Sequence, residues 1–155
     1  QKILIFARKS ASTLTTYDSN SFMVIKGITI NFCNKSGLLA SASQSQLYNM
    51  AVRNGVESDY CSFSGVGVSN DEDGIPNQVA TVGSLLSIDP AMDLSLESEY
   101  SNQSAGQFNF SFDLNIYNQG SEAITPTIYM IVVNGGAFVT NHGTSSMTAG
   151  LLNES

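Results

Sequence analysis

Tryptophan is absent from these 155 residues, histidine occurs once, cysteine twice, and charged side chains make up only 12%. Each shortage removes a class of function. Two cysteines, Cys33 and Cys61, make no disulfide framework; they either pair or stay as free buried thiols, the plainer reading. A single histidine, His142, and no C-x-x-C leave too few ligands for a zinc site. Any Ser-His-Asp or Cys-His triad would have to use His142, and no G-x-S-x-G elbow accompanies a serine. Six Lys and Arg against thirteen Asp and Glu give a net charge of −7. Lys2, Arg8, Lys9 and Lys26 gather in the first quarter, but the chain lacks the basic stripe that a phosphate backbone requires. No apolar stretch approaches the roughly 20 residues of a membrane span. The lack of Trp also weakens a carbohydrate-binding reading.

What the chain does have is alternation. Over residues 107–117, Phe108, Phe110, Phe112, Leu114 and Ile116 fall on one side, and Gln107, Asn109, Ser111, Asp113, Asn115 and Tyr117 on the other. Successive strand side chains point to opposite faces, so this is a long strand with one buried and one wetter face. After a turn at Asn118-Gln119-Gly120-Ser121, a second run (Ile124, then Ile128 to Val133) is apolar on both faces. That is the pattern of a central strand, and the two runs are expected to pair as a hairpin.

The rest of the chain is read in the same way. Residues 2–7 form a strand covered on both faces. Residues 10–21 are a loop. Residues 22–33 form a strand with Val24, Ile28, Ile30 and Phe32 inward, and Gly27 beside Lys26 marks a bulge. The one expected helix spans 43–54. Ser43 and Gln46 have capping-box spacing, Leu47, Met50 and Ala51 form an apolar stripe, and Gly55 is the terminator. Residues 60–63 are expected as a short strand and 65–77 as an acidic, glycine-rich loop. A strand over 78–89, with Ala80, Val82, Leu86 and Ile88 inward, is stopped by Pro90. A second long loop covers 92–105, and a further strand 137–140. Seven or so strands, long loops and one short helix make an all-β, antiparallel jelly-roll sandwich. Its expected extent is residues 1–142, with a flexible tail over 143–155.

Site chemistry is thin. Asp71-Glu72-Asp73-Gly74 looks like part of a calcium loop, but aligning Gly74 with the turn glycine puts Ser69 and Ala80 where ligands belong. A solvated acidic loop fits better. Gly65-Val66-Gly67 lacks the third glycine of a dinucleotide fingerprint. Glu97 and Glu99 are paired carboxylates, but their period-2 spacing in an expected loop says nothing about facing partners. Asn34, Asn102, Asn109 and Asn153 begin glycosylation sequons, which are expected by chance in an Asn/Ser-rich chain and matter only after secretion. The six tyrosines suit the rims of a sandwich more than a sugar site. No catalytic, cofactor-binding or metal-binding residue is assigned.

Several segments are colinear with a known family. Gly27-Ile28-Thr29-Ile30-Asn31-Phe32-Cys33-Asn34-Lys35-Ser36-Gly37 leads through Gln46-Leu47-Tyr48-Asn49-Met50-Ala51 to Gly55. Then follow Ala80-Thr81-Val82-Gly83-Ser84-Leu85-Leu86-Ser87-Ile88-Asp89-Pro90, Asp93-Leu94-Ser95-Leu96, Gly106-Gln107-Phe108-Asn109-Phe110-Ser111-Phe112, and the segment from Ile124-Thr125-Pro126 to Asn134. In order and spacing, residues 22–140 resemble the C-terminal jelly roll of major capsid proteins from Polinton/Maverick elements and adintoviruses, in the adenovirus-hexon lineage. The resemblance implies a structural virion protein without catalytic residues. It would stand as one jelly roll of a double jelly-roll subunit, in pseudo-hexagonal trimers tiling an icosahedral shell assembled inside the host cell. Its partners would be identical or related capsid subunits and minor capsid proteins, with no cofactor. The chain opens at Gln1 and holds one jelly roll where that family has two, so it reads as a portion of a longer chain or a single-jelly-roll relative. The alternative is a secreted β-sandwich that binds carbohydrate or a receptor.

Overall fold

A computed structural model describes residues 2–18, 21–32, 35–95, 110–120, 123–133, 136–141 and 143–149. Its elements, in order, are β1 (Lys2–Lys9), β2 (Val24–Phe32), β3 (Lys35–Leu38), α1 (Gln44–Arg53), α2 (Tyr60–Ser64), β4 (Val66–Asn70), β5 (Pro76–Ala80), β6 (Leu86–Ile88), α3 (Pro90–Asp93), β7 (Phe110–Tyr117), β8 (Pro126–Val133), β9 (Gly136–Asn141) and β10 (Thr144–Ala149). Two 3₁₀ turns, Ala11–Thr13 and Thr16–Asp18, lie in the loop after β1.

Two three-stranded antiparallel sheets carry the fold, ordered β6-β1-β8 and β3-β2-β7. The inner residues of both sheets meet in one core: Ile3, Ile5, Ile25, Ile28, Ile30, Leu86 and Ile88, closed at one side by Leu47, Met50 and Ala51 of α1 and Phe63 of α2. This is the all-β jelly-roll architecture expected. The alternation along β7 is present as read, with Phe110, Phe112, Leu114 and Ile116 half-buried against that core and the residues between them exposed. Residues 107–109 lie outside the described residues.

The expected hairpin of these two apolar runs does not form. β7 pairs with β2, from Val24↔Tyr117 to Phe32↔Phe110, while β8 pairs with β1, from Lys2↔Val133 to Lys9↔Pro126. The connection 118–125 is long enough to cross from one sheet to the other. Each strand then lays its apolar side chains on a different wall of the core. β8 is also no central strand: among the described residues it is the edge of its sheet, and its side chains from Met130 to Val133 are all exposed. β1 is buried on one face only, with Leu4 and Phe6 half-covered on the other.

β2 follows the sequence closely. Val24, Ile28, Ile30 and Phe32 are buried, Lys26 is exposed, and the ladder to β7 shifts register between Ile25 and Gly27, where the bulge was expected. α1 does the same. The Ser43 hydroxyl accepts from the Gln46 N–H, the Gln46 side chain accepts from the Ser43 N–H, and Leu47, Met50 and Ala51 form the buried stripe.

Other expectations fail for local reasons. One helix is expected, and the described residues form three. Residues 60–63 are helical because the Asp59 carboxylate caps the Ser62 N–H and Gly65 ends the turn in the left-handed region. Pro90 starts α3 instead of merely stopping a strand, with Asp89 as its cap and proline in the first turn, where its missing N–H costs nothing. The acidic loop is the tip of a β4–β5 hairpin paired from Val66↔Ala80 to Asn70↔Pro76. The single strand expected over 78–89 is therefore two strands, β5 and β6. Of the four residues expected inward, Ala80 and Val82 are exposed and Leu86 and Ile88 are buried. Thr144–Ala149, expected as loose tail, pairs with β9 as β10.

Candidate functional site

Chemistry first requires reactive groups held together, and the described residues do not supply them. His142, Cys33, Glu97, Glu99, Tyr100 and the sequon residues Asn34, Asn102, Asn109 and Asn153 lie outside the described residues. Cys61 is exposed on α2, which corrects the expectation of a buried thiol. Its neighbour Phe63 takes the buried side of that short helix. Asp71 at the hairpin tip accepts the Asp73 N–H at 3.0 Å and the Ile75 N–H at 2.8 Å through Oδ1. The carboxylate shapes the turn, and among the described residues no group of three or more His, Cys, Asp or Glu side chains is placed to hold a metal ion. Gly65 ends α2 and Gly67 lies within β4, so the Gly65-Val66-Gly67 stretch forms no phosphate cradle.

The tyrosines are scattered. Tyr17 stands in solvent, Tyr129 stacks on Phe6 at 5.1 Å, Tyr48 meets Tyr60 and Phe63 edge-on, and Tyr117 lies under Lys26 at 5.8 Å. They share no cleft in which a sugar would stack.

A groove of about 730 Å³ lies between the loop after β1 and the connection from β7 to β8. Arg8 and Lys9 face it together with Asp18. Arg8 donates to the Asp18 carbonyl oxygen at 3.1 Å and lies over the Phe22 ring, 5.9 Å from its centroid. Lys9 reaches the Asp18 carboxylate at 3.3 Å. That carboxylate also accepts the Thr15 hydroxyl at 2.7 Å and the Thr15 N–H at 2.8 Å. The Thr15 hydroxyl, then its N–H, with a smaller contribution from Lys9, hold the Asp18 carboxyl below the ordinary carboxylate range. Its oxygens are committed to clipping the loop. Among the described residues that line it, the groove's charged groups are Arg8, Lys9 and Asp18, tied together by that salt bridge and by the Arg8 hydrogen bond.

A second polar cluster joins helices. The Asp93 carboxylate, fully buried, accepts from Arg53 and from the Asn54 amide at 2.6 Å, and Asn54 also donates to the Ser87 carbonyl at 3.0 Å. Asp93 Oδ2 accepts the Asp89 N–H at 2.8 Å. This cluster fastens the end of α1 to α3 and β6. Its role is to hold the corner of the sandwich.

The conspicuous surface features are apolar. The β4–β5 hairpin exposes Val66, Val68, Ile75 and Val79, with three acids at its tip, and the edge strand β8 exposes Ile128, Met130, Ile131, Val132 and Val133. Large exposed apolar patches are a general mark of interaction surfaces. Sequence reasoning missed both features. Exposure of an apolar strand depends on what lies beside it, which periodicity does not report. Among the described residues, no helix is long and apolar enough to cross a membrane.

Residues 1–136 match the family described as major capsid protein V20 C-terminal domain. A curated relative, the putative capsid protein V20 of Sputnik virophage, is 23% identical over 158 residues, covering 96% of this chain and 26% of the relative. The structure of the Sputnik virophage by cryo-electron microscopy contains a chain that superposes with a TM-score of 0.81 at 20% identity, covering 98% of this chain and 32% of that one. The crystal structure of the mavirus major capsid protein superposes with a TM-score of 0.74 at 17% identity, covering 97% and 32% respectively. The chain thus spans a third or less of the length of these relatives, and at such identities the structural likeness is one of fold.

Proposed function

We propose, from the premise that this chain belongs to the major capsid protein V20 C-terminal domain family, that it is a shell-building part of a viral capsid subunit and does no catalysis. The observation that carries this reading is the pairing of that family match over residues 1–136 with a stiff sandwich whose most prominent exposed groups are apolar strands. Large symmetric shells add up many modest contacts between copies, and a surface poor in charge tolerates such contacts. The partners are identical or related capsid subunits, joined as trimers within an icosahedral shell, with minor capsid proteins at their margins. The location is the virion. A carbohydrate-binding role has less behind it, because the described tyrosines do not converge.

The test is to express the full-length gene product that contains this chain and inspect it by electron microscopy and sedimentation. Shell fragments or particles containing the chain are expected. A product that stays monomeric at high concentration and forms no particles would overturn the reading.

A further inference from the structure

The chain holds one run of consecutive acids, Asp71-Glu72-Asp73, and one adjacent pair of basic residues, Arg8-Lys9. The fold brings both to the surface. The acids form the tip of the β4–β5 hairpin, where residues 71–80 are all exposed. Asp71 uses Oδ1 to shape the turn, while Glu72 and Asp73 stand in water. Beside the tip, Val68 is 71% and Ile75 60% exposed. The hairpin is an arm with apolar flanks and a negative end.

The basic pair lines the groove of about 730 Å³, along with Gln119, Phe22 and Ile124. Two cations there stand against one acid, Asp18, so the described charged groups of the groove leave it positive. The Lys9 side chain is 30% exposed, and its ammonium has donors beyond the one given to Asp18. The amide nitrogen of Gln119 is buried and has no hydrogen-bond partner among the described residues. A buried donor left unpaired is unfavourable, so this one calls for an acceptor from outside.

Arm and groove are complementary, yet they do not meet within one copy. Among the described residues the salt bridges are Lys9–Asp18 and Arg53–Asp93, and neither reaches the tip. Ala80 and Thr81, at the base of the hairpin, line the groove, and the paired ladder carries the tip about 15 Å away from Ala80. We propose that the acidic tip of the β4–β5 hairpin docks in the Arg8–Lys9 groove of a second copy of this chain. A tip carboxylate meets Lys9 and the Gln119 amide, and Val68 and Ile75 lie against the apolar part of the groove. The contact rests on the capsid reading, which it deepens by naming surfaces through which copies meet. It runs head to tail, the kind of contact that closes into rings.

The test uses the full-length gene product with a photoreactive residue in place of Ile75, mixing normal and isotopically heavy copies. Cross-links from the tip to peptides of another copy holding residues 8–18 or 118–125 are expected. Sedimentation then compares charge reversals. Glu72→Lys with Asp73→Lys is expected to weaken association at least about tenfold, because like charges then face each other. Adding Lys9→Glu is expected to restore most of that loss, which a folding defect would not do. Cross-links that are absent, confined to one copy or made to other surfaces would overturn the proposal. So would a tip reversal that leaves association unchanged, or one that Lys9→Glu does not relieve. Particles whose tips cross-link elsewhere sink this contact and leave the capsid reading standing, whereas a product that forms no particles counts against that reading itself.

Discussion

The fully buried hydroxyl of Ser84 donates to the carbonyl oxygen of Phe63 at 2.7 Å, and the Ser84 Oγ itself accepts the Ile25 N–H at 2.9 Å. One small side chain thereby joins the segment before β6 to α2 and to the bulged part of β2. Both backbone groups lie where water cannot replace the contact.

Replacing Ser84 by Ala leaves a buried donor and a buried acceptor with fewer partners. Leaving such groups unsatisfied costs about 2 kcal/mol. Urea unfolding of Ser84→Ala is expected to show that loss with an unchanged denaturant slope. An unaltered midpoint would mean that the hydroxyl contributes nothing net.

Gly83 is a sharper case. Its φ is +97°, and a Cβ there would lie 2.1 Å from the Phe22 carbonyl oxygen. At the hairpin tip, Gly74 has φ +77° with no atom within 4 Å. Gly74→Ala meets only the backbone penalty, about 1 kcal/mol. Gly83→Ala must in addition push two backbone segments apart, and is expected to cost at least about 3 kcal/mol. Thermal melts of the two variants side by side decide this; equal shifts would refute the close approach.

The capping box of α1 is testable without disturbing the core. Ser43→Ala removes the acceptor for the Gln46 N–H and is expected to cost about 1 kcal/mol. Leu47→Ala, which empties a fully buried position, is expected to cost about 3 kcal/mol. Chemical denaturation measures both, and the order of the two effects is the firm expectation.

Acid should loosen two local clips. The Ser62 N–H, then its hydroxyl, hold the Asp59 carboxyl below its ordinary value, as Thr15 does for Asp18. A carboxyl whose folded pKa lies below the unfolded one contributes stability that is complete above the unfolded value, about 3.9. That contribution disappears as pH falls through the lower folded value. Stability from these two groups is therefore level at neutral pH and declines below about pH 4. Asp59→Asn is expected to flatten that decline when midpoints are compared across pH; an identical pH profile would show that the Ser62 contacts do not matter.

Several features could be read from the residues because they are local. The alternation of Phe110, Phe112, Leu114 and Ile116, the bulge at Gly27 and the Ser43–Gln46 box each depend on neighbours within a turn or a strand. Two further helices were legible but misread. Asp89 stands before Pro90 as a cap followed by proline in the first turn, and Asp59 stands three residues before Ser62; the expected strand over 60–63 and the reading of Pro90 as a strand stop pass over both signals.

By itself, the sequence determined which side chains share a face along β2 and β7, where the main helix begins and ends, and that the fold would be built on antiparallel sheets. Those follow from side-chain period and from capping chemistry, which act over a few residues. Only the tertiary structure decided that β7 joins β2 and β8 joins β1, that the acidic stretch is a hairpin tip, and that the apolar β8 lies at an edge among the described residues. Strand pairing and burial depend on which distant surfaces exclude water together. Two apolar runs adjacent in sequence reach a lower free energy on opposite walls of one core than against each other.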